Sequence, residues 1–554
     1  KHTTVASYLV ARLQQHGVKH LFGVPGATCD PLFAAAEAGG MELVVTASDL
    51  EAGYAADGYA RMRGLGAVSV TYGVGTLSLL AAIGGAHAER SPVVVLNGGP
   101  SADDLRIQKE TGSLFSHSAG RSSSDLTMFR EVTAWAGRAE TAAELPRLAD
   151  EALRCARTQQ RPVYLEVPKH LWTARCAAPA DQRPPDAPES DEAALAAQVL
   201  ERLRAATRPV LLLGIELARF GLEDAAAALV EKLQLPWATT MLAKSALAED
   251  TPGFAGVYGG ERAAPHPKRV VEEADVVLAL GCVMGRQYRR LATTRAAALI
   301  QVADGQVRLS GKPPAPAQLA AFLSALRRHP WTPDAAKLTG RTLPGTGFRE
   351  RRGEVPTAQP SSERGLTFDG LLEEVSGFLD EGFVTLTDTS LSMYPAADLQ
   401  VRGRRSFVCD AVWQAIGFSV PAGLGVAMAD PRRPFVLCGD GGFQMTAQSL
   451  STWARRQVRG IVVVLDNGLY GIEQWLLDPR FFSDGAAPKS YLPLNRWDYV
   501  GLARALGLKT ASSATTPEAL RQALKVAREA DGPALIHAVV KPRDLPMQLA
   551  RRPG

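Results

Sequence analysis

A single βαβ stretch near the C-terminus constrains the fold more than any other part of the chain. An apolar strand is predicted over residues 434–438, and it ends at the glycine-rich turn GDGG, residues 439–442. A predicted helix over residues 444–456 and a second apolar strand over residues 460–465 follow. The two strands of such a unit run parallel and end at the same edge of the sheet, where open parallel sheets bind their ligands.

Polar residues follow both strands at this edge. Asp440 comes after the first strand and Asn467 after the second, so we expect their side-chain oxygens to converge. A carboxylate and an amide oxygen are ligands that Mg²⁺ accepts together with phosphate oxygens. The glycines of the turn allow backbone N–H groups to approach a diphosphate closely. For GDG alone, an ordinary turn with Asp440 as a helix N-cap is the alternative.

This stretch resembles the signature of thiamine-diphosphate (ThDP) enzymes, in which GDG is followed by an Asn after the next strand. TAQSL and GLYGIE resemble the pyruvate and indolepyruvate decarboxylase branch of these enzymes. The resemblance covers nearly the whole chain, and further segments similar to that family occur in the expected order: FGVPG, DGYAR, TYGVGTLS, RPVYLEVP and IGFSVPAGLG.

Three α/β domains are predicted, each with a doubly wound parallel sheet, because short apolar strands alternate with helices along the chain. The domains cover residues 1–178, 192–330 and 366–545. Pro-rich segments at 179–191 and 331–365 are predicted linkers. The resemblance implies that the three domains are the pyrimidine-binding, central and diphosphate-binding domains, in that order.

Composition excludes several classes of function. The net charge of +4 is small for 554 residues, and no Lys/Arg run suggests nucleic-acid binding. No uninterrupted apolar stretch predicts a membrane helix, and the start KHTTVASYLV lacks a signal-peptide pattern. The six cysteines are scattered, without a metal-binding spacing. We therefore expect a cytoplasmic protein with reduced thiols, no nucleic-acid partner and no membrane partner.

The resemblance implies a set of cofactor ligands. For Mg²⁺ they are Asp440, Asn467 and the backbone carbonyl of Leu469. Asp466 stands where the family usually has a second Asn; it either adds a carboxylate near the metal or caps the turn. The predicted ThDP-binding residues are Gly26, Thr71, Gly73, Asp388, Thr389, Ser390, Gln414, Ile416, Gly439, Gly441 and Gly442. For residues 388–390 a solvated turn is the alternative, and for Ile416 it is plain core packing.

A carboxylate must also contact the pyrimidine ring of ThDP. In the family a Glu precedes the Gly of GYAR, and counting back from Gly58 in that pattern gives Asp49. Glu51 lies two positions later, about 200° around a helix, so both cannot face the pyrimidine. We expect Asp49 to take this role, by contact or through a water. Weaker activation of the cofactor is one hypothesis, because Asp is one methylene shorter than Glu. A simple residue of the helix N-cap region is the alternative for Asp49.

Substrate-facing positions depart from the pyruvate decarboxylase pattern. That pattern has an Asp after the first strand-exit Gly and a His-His pair further on; here Ala27 and Thr28 stand at the first site, and Ser116 and His117 at the second. The resemblance places Glu473 among the catalytic groups, and Ile472 beside it is expected in the pocket wall. Trp475 is expected at the pocket entrance, with packing as an amphipathic helix residue as the alternative. For His117, a surface loop residue is the alternative. Gly26-Ala27 also resembles benzaldehyde-lyase-type carboligases.

The expected function is therefore a ThDP- and Mg²⁺-dependent non-oxidative decarboxylase of 2-oxo acids, a carboligase that forms acyloins through an enamine, or both. The expected partners are a small 2-oxo acid, a possible carbonyl acceptor, and the chain itself as a homodimer or tetramer. The resemblance implies that each site lies between the first domain of one subunit and the third domain of another. A catalytically weak ThDP-binding protein, a lyase that cleaves 2-hydroxy ketones, and a nicotinamide oxidoreductase remain alternatives.

Overall fold

The computed structural model describes residues 2–179, 192–353 and 365–550. The first predicted linker lies almost wholly outside the described residues, as does the later part of the second. Each of the three regions between them contains its own β-sheet flanked by helices. The predicted α/β fold with three sheet domains is therefore confirmed.

The N-terminal region has a six-stranded sheet of order β3-β2-β4-β5-β7-β6, with every pair parallel. Two short terminal strands, β1 and β8, form a separate antiparallel pair. Its strands are β1 (His2–Thr4), β2 (His20–Gly23), β3 (Glu42–Val45), β4 (Gly66–Ser69), β5 (Val93–Gly99), β6 (Trp135–Arg138), β7 (Val163–Pro168) and β8 (Arg175–Ala177). Its helices are α1 (Val5–Gln15), α2 (Asp30–Ala38), α3 (Asp49–Arg63), α4 (Val74–Ala88), α5 (Ala102–Thr111), α6 (Ser124–Val132) and α7 (Leu145–Gln159).

The central region has a seven-stranded sheet of order β11-β10-β9-β12-β13-β14-β15. Its last two strands pair antiparallel, so the prediction of a fully parallel central sheet is wrong at this edge. The strands are β9 (Pro209–Leu213), β10 (Trp237–Thr240), β11 (Phe254–Tyr258), β12 (Val276–Leu280), β13 (Leu299–Ala303), β14 (Gln306–Leu309) and β15 (Ala315–Pro316). The helices are α8 (Glu192–Ala205), α9 (Glu216–Arg219), α10 (Glu223–Leu233), α11 (Pro265–Glu272), α12 (Arg289–Ala292) and α13 (Leu319–Arg328).

The C-terminal region has a six-stranded parallel sheet of order β17-β16-β18-β19-β21-β20. Its strands are β16 (Phe383–Thr387), β17 (Phe407–Cys409), β18 (Arg433–Gly439), β19 (Ile461–Asp466), β20 (Thr510–Ala514) and β21 (Ala534–Val539). The helix α14 (Phe348–Arg352) precedes this region, in the described part of the second predicted linker. The helices of the C-terminal region are α15 (Phe368–Phe378), α16 (Ser419–Ala429), α17 (Asp440–Thr446), α18 (Ser449–Arg455), α19 (Gly471–Leu477), α20 (Arg480–Ser483), α21 (Tyr499–Ala505), α22 (Pro517–Glu529) and α23 (Met547–Ala550). Short 3₁₀ helices occur at Lys169–Leu171, Gly260–Arg262, Arg286–Tyr288, Ala296–Ala298, Ala335–Lys337 and Pro395–Asp398.

Two sequence predictions need correction. The single helix predicted over residues 444–456 is two helices: α17 starts directly at Asp440, and α18 follows a break after Thr446. The described part of the second predicted linker is ordered protein rather than a free connection. It contains α14, and its Arg351 is buried and pairs with Glu249 of the central region.

The described chain separates into two compact units. The first consists of the N-terminal region with residues 420–431 and 446–458, and the second consists of the central region with the rest of the C-terminal region. In the first unit α3 packs directly on α16, because glycines stand at the crossing. A Cβ at Gly58 would collide with the Ala422 carbonyl, and one at Gly425 would collide with the Ala55 carbonyl.

All six cysteines are buried, and none forms a disulfide. Within the described ranges no helix is long and apolar enough to cross a membrane.

The half-buried carboxyl of Asp544 in the second unit makes stability depend on pH. The Asp544 carboxylate accepts a 2.6 Å hydrogen bond from the Phe368 N–H at the start of α15, and burial raises the pKa of Asp544 from 3.8 to about 6. Because the folded pKa is raised, this group contributes stability below pH 3.8 that is lost as the pH rises through about 6. Asn in its place keeps the acceptor without the charge.

The free energy of unfolding of Asp544→Asn, relative to that of the unaltered protein, is therefore expected to rise by about 1–2 kcal/mol from pH 4 to pH 7.5. Urea unfolding of both proteins at the two pH values measures this difference. A difference that does not change with pH would contradict the assignment.

Candidate cofactor-binding and active site

The ends of β18 and β19 bring Asp440 to the loop that carries Asn467. The two strands pair in parallel up to Gly439 and Leu465, so both chains leave the sheet at the same edge. The Asp440 carboxylate then accepts hydrogen bonds from Gly441 N at 2.9 Å and from Gly468 N at 2.7 Å. One carboxylate thus links the GDGG turn to the loop after β19.

The oxygen atoms at this edge suit a cation. Burial and the neighbouring Asp466 carboxyl raise the pKa of Asp440, so the unneutralised site disfavours its charge. The Nδ2 atom of Asn467 is buried without a hydrogen-bond partner. Among the described residues no three His, Cys, Asp or Glu side chains cluster as a metal site, so a cation here needs amide and carbonyl oxygens beside Asp440.

Asp466 does not cap the turn. It is the last residue of β19, and its carboxylate pairs with His537 Nε2 at 2.8 Å and with Arg496 at 3.5 Å. The interaction with His537 is one cause that lowers the pKa of Asp466. The pair with His537 connects the end of β19 to β21.

A cavity in the second unit opens at this edge. Twelve of the residues predicted from the sequence line it: Thr389, Ser390, Gln414, Ile416, Gly439, Asp440, Gly441, Gly442, Asn467, Leu469, Ile472 and Glu473. They come from four separate segments of the C-terminal region, which the sheet brings together.

The glycine turn forms the floor of this cavity and has no room for side chains. A Cβ at Gly441 would lie 2.5 Å from the Tyr470 ring, and one at Gly442 would lie 2.7 Å from Asp388 Oδ1. The turn also leads directly into α17, whose first N–H groups have no partner within the helix. Thr389 adds a buried hydroxyl without a hydrogen-bond partner. A diphosphate supplies the acceptors that such donors need.

The Asp388 side chain does not face the cavity, although the sequence predicts it to bind ThDP. It is fully buried, and its carboxylate accepts hydrogen bonds from Gly417 N, Ser419 N and Ser419 Oγ at 2.7–2.9 Å. It does not line the cavity. Since its oxygens are already engaged, we assign Asp388 to holding the segment that carries Gln414 and Ile416, and not to contact with the cofactor.

That segment has an unusual backbone. Gln414 adopts a left-handed conformation, with φ of 61°, and its side chain is exposed, while Ile416 is half-buried in the cavity wall. The left-handed conformation costs free energy for a residue other than glycine, so the surrounding structure must hold it. The strain points to a constrained loop at the cavity, as expected for a residue that presents its backbone to a ligand.

The first unit holds the other predicted residues in one cluster. Thr28 Oγ1 and Thr71 Oγ1 are hydrogen-bonded at 3.0 Å, and a Cβ at Gly26 would lie 2.8 Å from Thr71. The Gly73 N–H donates to the buried Asp125 carboxylate at 3.0 Å, with Gly73 φ at 69°. The loop after β4 thus contacts both the loop after β2 and the start of α6.

Asp49 and Glu51 occupy different environments in this unit. Glu51 is fully buried, and its carboxylate accepts hydrogen bonds from Ala47 N at 2.7 Å and Ser449 Oγ at 2.9 Å. Asp49 is half-buried and its Oδ1 faces Gly75, 2.9 Å from where a Cβ would be. Partial burial raises the pKa of Asp49. Of the two carboxylates, Asp49 has the oxygens available to a ligand.

The remaining predicted residues of the pocket lie at the surface or beside the cavity. Ala27, Ser116 and His117 are exposed, and His117 has a left-handed φ of 68° with its backbone packed against Gly73. Trp475 lies on α19 beside the cavity and stacks against the Arg262 guanidinium instead of lining the cavity itself.

Sequence reasoning missed two residues of these sites. Asp125 holds the Gly73 turn, and Arg262 of the central region lines the cavity of the second unit. Neither stands in a motif, and both are far along the chain from the residues they contact. The central region carries no GxGxxG motif that would have pointed to Arg262.

Comparison with known proteins agrees with this architecture. Residues 3–119, 196–326 and 389–538 match, respectively, the N-terminal TPP-binding, central and C-terminal TPP-binding domains of thiamine pyrophosphate enzymes. A probable pyruvate decarboxylase of Schizosaccharomyces pombe is 29% identical, over 99% of this chain and 95% of its own. An alpha-keto-acid decarboxylase of Mycobacterium tuberculosis is 32% identical, over 100% of this chain and 97% of its own.

The chain belongs to the ThDP-dependent 2-oxo acid decarboxylase family. This confirms the family resemblance seen in the sequence motifs, and it makes the protein an enzyme with ThDP as its cofactor. For a member of this family the glycine floor, the Thr389 hydroxyl and the oxygens around Asp440 fit the diphosphate end of the cofactor. The cluster around Thr71, Gly73 and Asp49 lies in the domain that corresponds to the N-terminal TPP-binding domain.

Proposed function

We propose that this enzyme decarboxylates a small 2-oxo acid without oxidation and transfers the remaining acyl unit to a carbonyl acceptor. The observation that carries the proposal is the cavity of the second unit. Its lining includes the glycine turn, Asp440, Asn467 and Glu473. ThDP supplies the nucleophilic carbon and the electron sink for loss of CO₂, and the chain positions the reactants and handles protons.

Mg²⁺ is the cation that we assign to the Asp440 site. The carboxylate of Asp440, the amide oxygen of Asn467 and the backbone carbonyl of Leu469 are its protein ligands in this proposal. All three residues line the same cavity wall. Mg²⁺ prefers such hard oxygen ligands together with phosphate oxygens and water, so it neutralises the diphosphate and relieves the repulsion between Asp440 and Asp466.

Asp49 holds the proton at the pyrimidine ring in this proposal. A carboxylate with a raised pKa and free oxygens hydrogen-bonds well to a ring nitrogen, which is the contact that activates the cofactor. Glu51 is bonded on both oxygens and serves the fold of the first unit.

Glu473 is the proton-handling group on the substrate side. Its side chain is exposed in the cavity, and no described residue pairs with its carboxylate. Ile472 beside it supplies apolar wall, which suits the side chain of a small donor.

The absence of two proton-donating side chains supports carboligation. Ala27 and Ser116 stand where decarboxylases of this family carry an Asp and a His, so two of the groups that protonate and release an aldehyde are absent. His117 is exposed and remains for acceptor binding or protonation. Slower protonation leaves the acyl unit time to add to a carbonyl acceptor.

Self-association is part of the proposal. Large apolar side chains are exposed beside both half-sites: Val74 and Leu77 near Gly73 in the first unit, and Trp413 and Leu476 at the cavity of the second. Patches of this kind mark interfaces. We propose a homodimer, or a tetramer of dimers, in which the first domain of one subunit completes the site on the third domain of another.

Product analysis tests the proposal. Purified protein is incubated with ThDP, Mg²⁺ and pyruvate, with and without benzaldehyde, and the products are measured by chromatography. We expect the acyloin to form about 10-fold faster than free acetaldehyde, because two protonating groups are absent. A matched Ala27→Asp variant is expected to shift the ratio toward free aldehyde.

Free aldehyde as the dominant product in both samples would make the enzyme a plain decarboxylase. Bound ThDP without any product from a panel of 2-oxo acids would overturn catalysis and favour the weak ThDP-binding protein.

A further inference from the structure

Arg262 lines the cavity from outside the cofactor-binding domains. It ends the 3₁₀ helix Gly260–Arg262 of the central region, and it shares the cavity with Ile472, Glu473 and Leu476 of α19. The turn before it requires glycine, because Gly260 has φ of 72° and a Cβ there would collide with the Gln287 carbonyl.

The guanidinium of Arg262 lies against two aromatic rings. Its central carbon lies 4.4 Å from the Trp475 ring centre and 4.8 Å from the Tyr394 ring centre. Two cation–π contacts of this kind restrict where the group can move. They do not use its N–H donors, which stay available to a ligand.

No acidic partner satisfies these donors. Within residues 2–179, 192–353 and 365–550, Arg262 makes no ion pair and no hydrogen bond, whereas the buried Arg351 of the same unit pairs with Glu249. The half-buried guanidinium thus offers a planar set of N–H donors to the cavity. Such a set matches a carboxylate or phosphonate, which accepts two parallel hydrogen bonds.

The contact with α19 places the Arg262 guanidinium apart from the Asp440 and Asn467 end of the cavity, which is the proposed metal end. Gly471 begins α19 and packs so closely on Asn467 that a Cβ would lie 2.6 Å from Asn467 Nδ2. Trp475, whose ring contacts the Arg262 guanidinium, follows four residues later, about 6 Å along the helix. The guanidinium therefore contacts α19 about one turn beyond the residue that packs on Asn467.

We propose that Arg262 binds a second, distal anionic group of the donor, so that the preferred substrates are 2-oxo acids with a terminal carboxylate or phosphonate. This inference rests on the proposed decarboxylase function. The carboxylate next to the ketone is the wrong partner for Arg262, because a cation there stabilises the charge that must disappear as CO₂ leaves and so favours the ground state. A distal anion keeps its charge throughout, and its binding energy orients the donor.

The test compares donors of equal chain length. 2-Oxoglutarate and 2-oxopentanoate differ only in the distal carboxylate, and phosphonopyruvate and 2-oxobutyrate form a similar pair for the phosphonate. CO₂ release is measured with holoenzyme, with Arg262→Gln, and with Arg308→Gln as a control that removes one exposed positive charge of the central region. Binding of the same donors to the holoenzyme is measured by calorimetry.

We expect the unaltered enzyme to favour one anionic donor over its uncharged match in kcat/KM, and Arg262→Gln to remove that preference by about 10- to 100-fold. Turnover of 2-oxopentanoate, the binding of ThDP and all properties of Arg308→Gln should change by less than about 3-fold. The donor pair that shows the preference identifies the distal group as a carboxylate or a phosphonate.

Three results would overturn the inference: no preference for either anionic donor, an equal loss for charged and uncharged donors in Arg262→Gln, or a loss of ThDP affinity in that variant. If no donor is turned over, the proposed decarboxylase function is wrong, but the role of Arg262 can still be tested by calorimetry. Donors with a distal anion should then bind more tightly to the unaltered protein than to Arg262→Gln, and uncharged donors should not.

Discussion

Asp49→Asn is expected to lower kcat for 2-oxo acid decarboxylation by about 10²- to 10⁴-fold, which is the usual contribution of a positioned acid–base group. Asn keeps the size and one oxygen of Asp49 but cannot carry or return a proton. Asp49 is half-buried, and its Oδ1 faces Gly75, so an Asn of the same size should leave the surrounding packing intact. Affinity for ThDP should change by less than about 10-fold, because the diphosphate end carries most of the charged contacts.

Exchange of the ThDP C2 proton, followed by NMR after rapid quenching, measures the affected step directly. Glu51→Gln is the matched control, two positions away on α3. Its carboxylate accepts from Ala47 N and Ser449 Oγ, so an amide there loses an acceptor in a fully buried place. We expect it to destabilise the fold by about 1–3 kcal/mol. C2 exchange should remain in the protein that stays folded.

The reverse pattern would contradict the assignment. If Glu51→Gln stops C2 exchange in folded protein while Asp49→Asn does not, then the buried Glu51 is the activating carboxylate, and the first unit must rearrange to expose it.

Asp440→Asn is expected to abolish Mg²⁺-dependent activity, with a loss of about 10²-fold or more at saturating ThDP, since a metal that neutralises a diphosphate is worth several kcal/mol. The variant should need much higher Mg²⁺ and ThDP concentrations for half-saturation. The uncharged amide no longer repels Asp466, so the variant without cofactors should be as stable as the unaltered chain or more stable.

Asp466→Asn is the matched control because it removes the same charge from the neighbouring carboxylate. It breaks the pair with His537, and Asn is the residue that the family usually has there. Activity titrated against Mg²⁺ should keep its half-saturation point within about 3-fold in this variant. Equal losses in both variants would show that the two carboxylates act as one metal site.

Much of the C-terminal site follows from local patterns in the sequence. GDGG and the Asn after the next strand belong to one βαβ unit, and its topology alone brings Asp440 and Asn467 to one edge. The break between α17 and α18 did not follow, because helical periodicity continues through residues 447 and 448 and tertiary packing ends the first helix.

Roles that depend on contacts distant in sequence were the hardest to predict. Asp388 follows a strand at the right edge, but its carboxylate turns to Gly417 and Ser419, which the pattern does not show. Arg262 reaches the cavity from the central region, whose sequence carries no motif. The choice between Asp49 and Glu51 rested on family register, and burial of Glu51 now adds an independent argument.

The central claim is that this enzyme decarboxylates 2-oxo acids with ThDP and Mg²⁺. Release of ¹³CO₂ from pyruvate and 2-oxoglutarate, each labelled at the carboxylate next to the ketone, tests it most directly. It is measured by mass spectrometry with apo-protein, with ThDP and Mg²⁺ restored, and with restored Asp440→Asn. We predict release that requires both ThDP and Mg²⁺ and that is lost in the variant. ThDP bound to folded protein without ¹³CO₂ from either donor, or release that does not depend on the restored cofactors, would contradict the account.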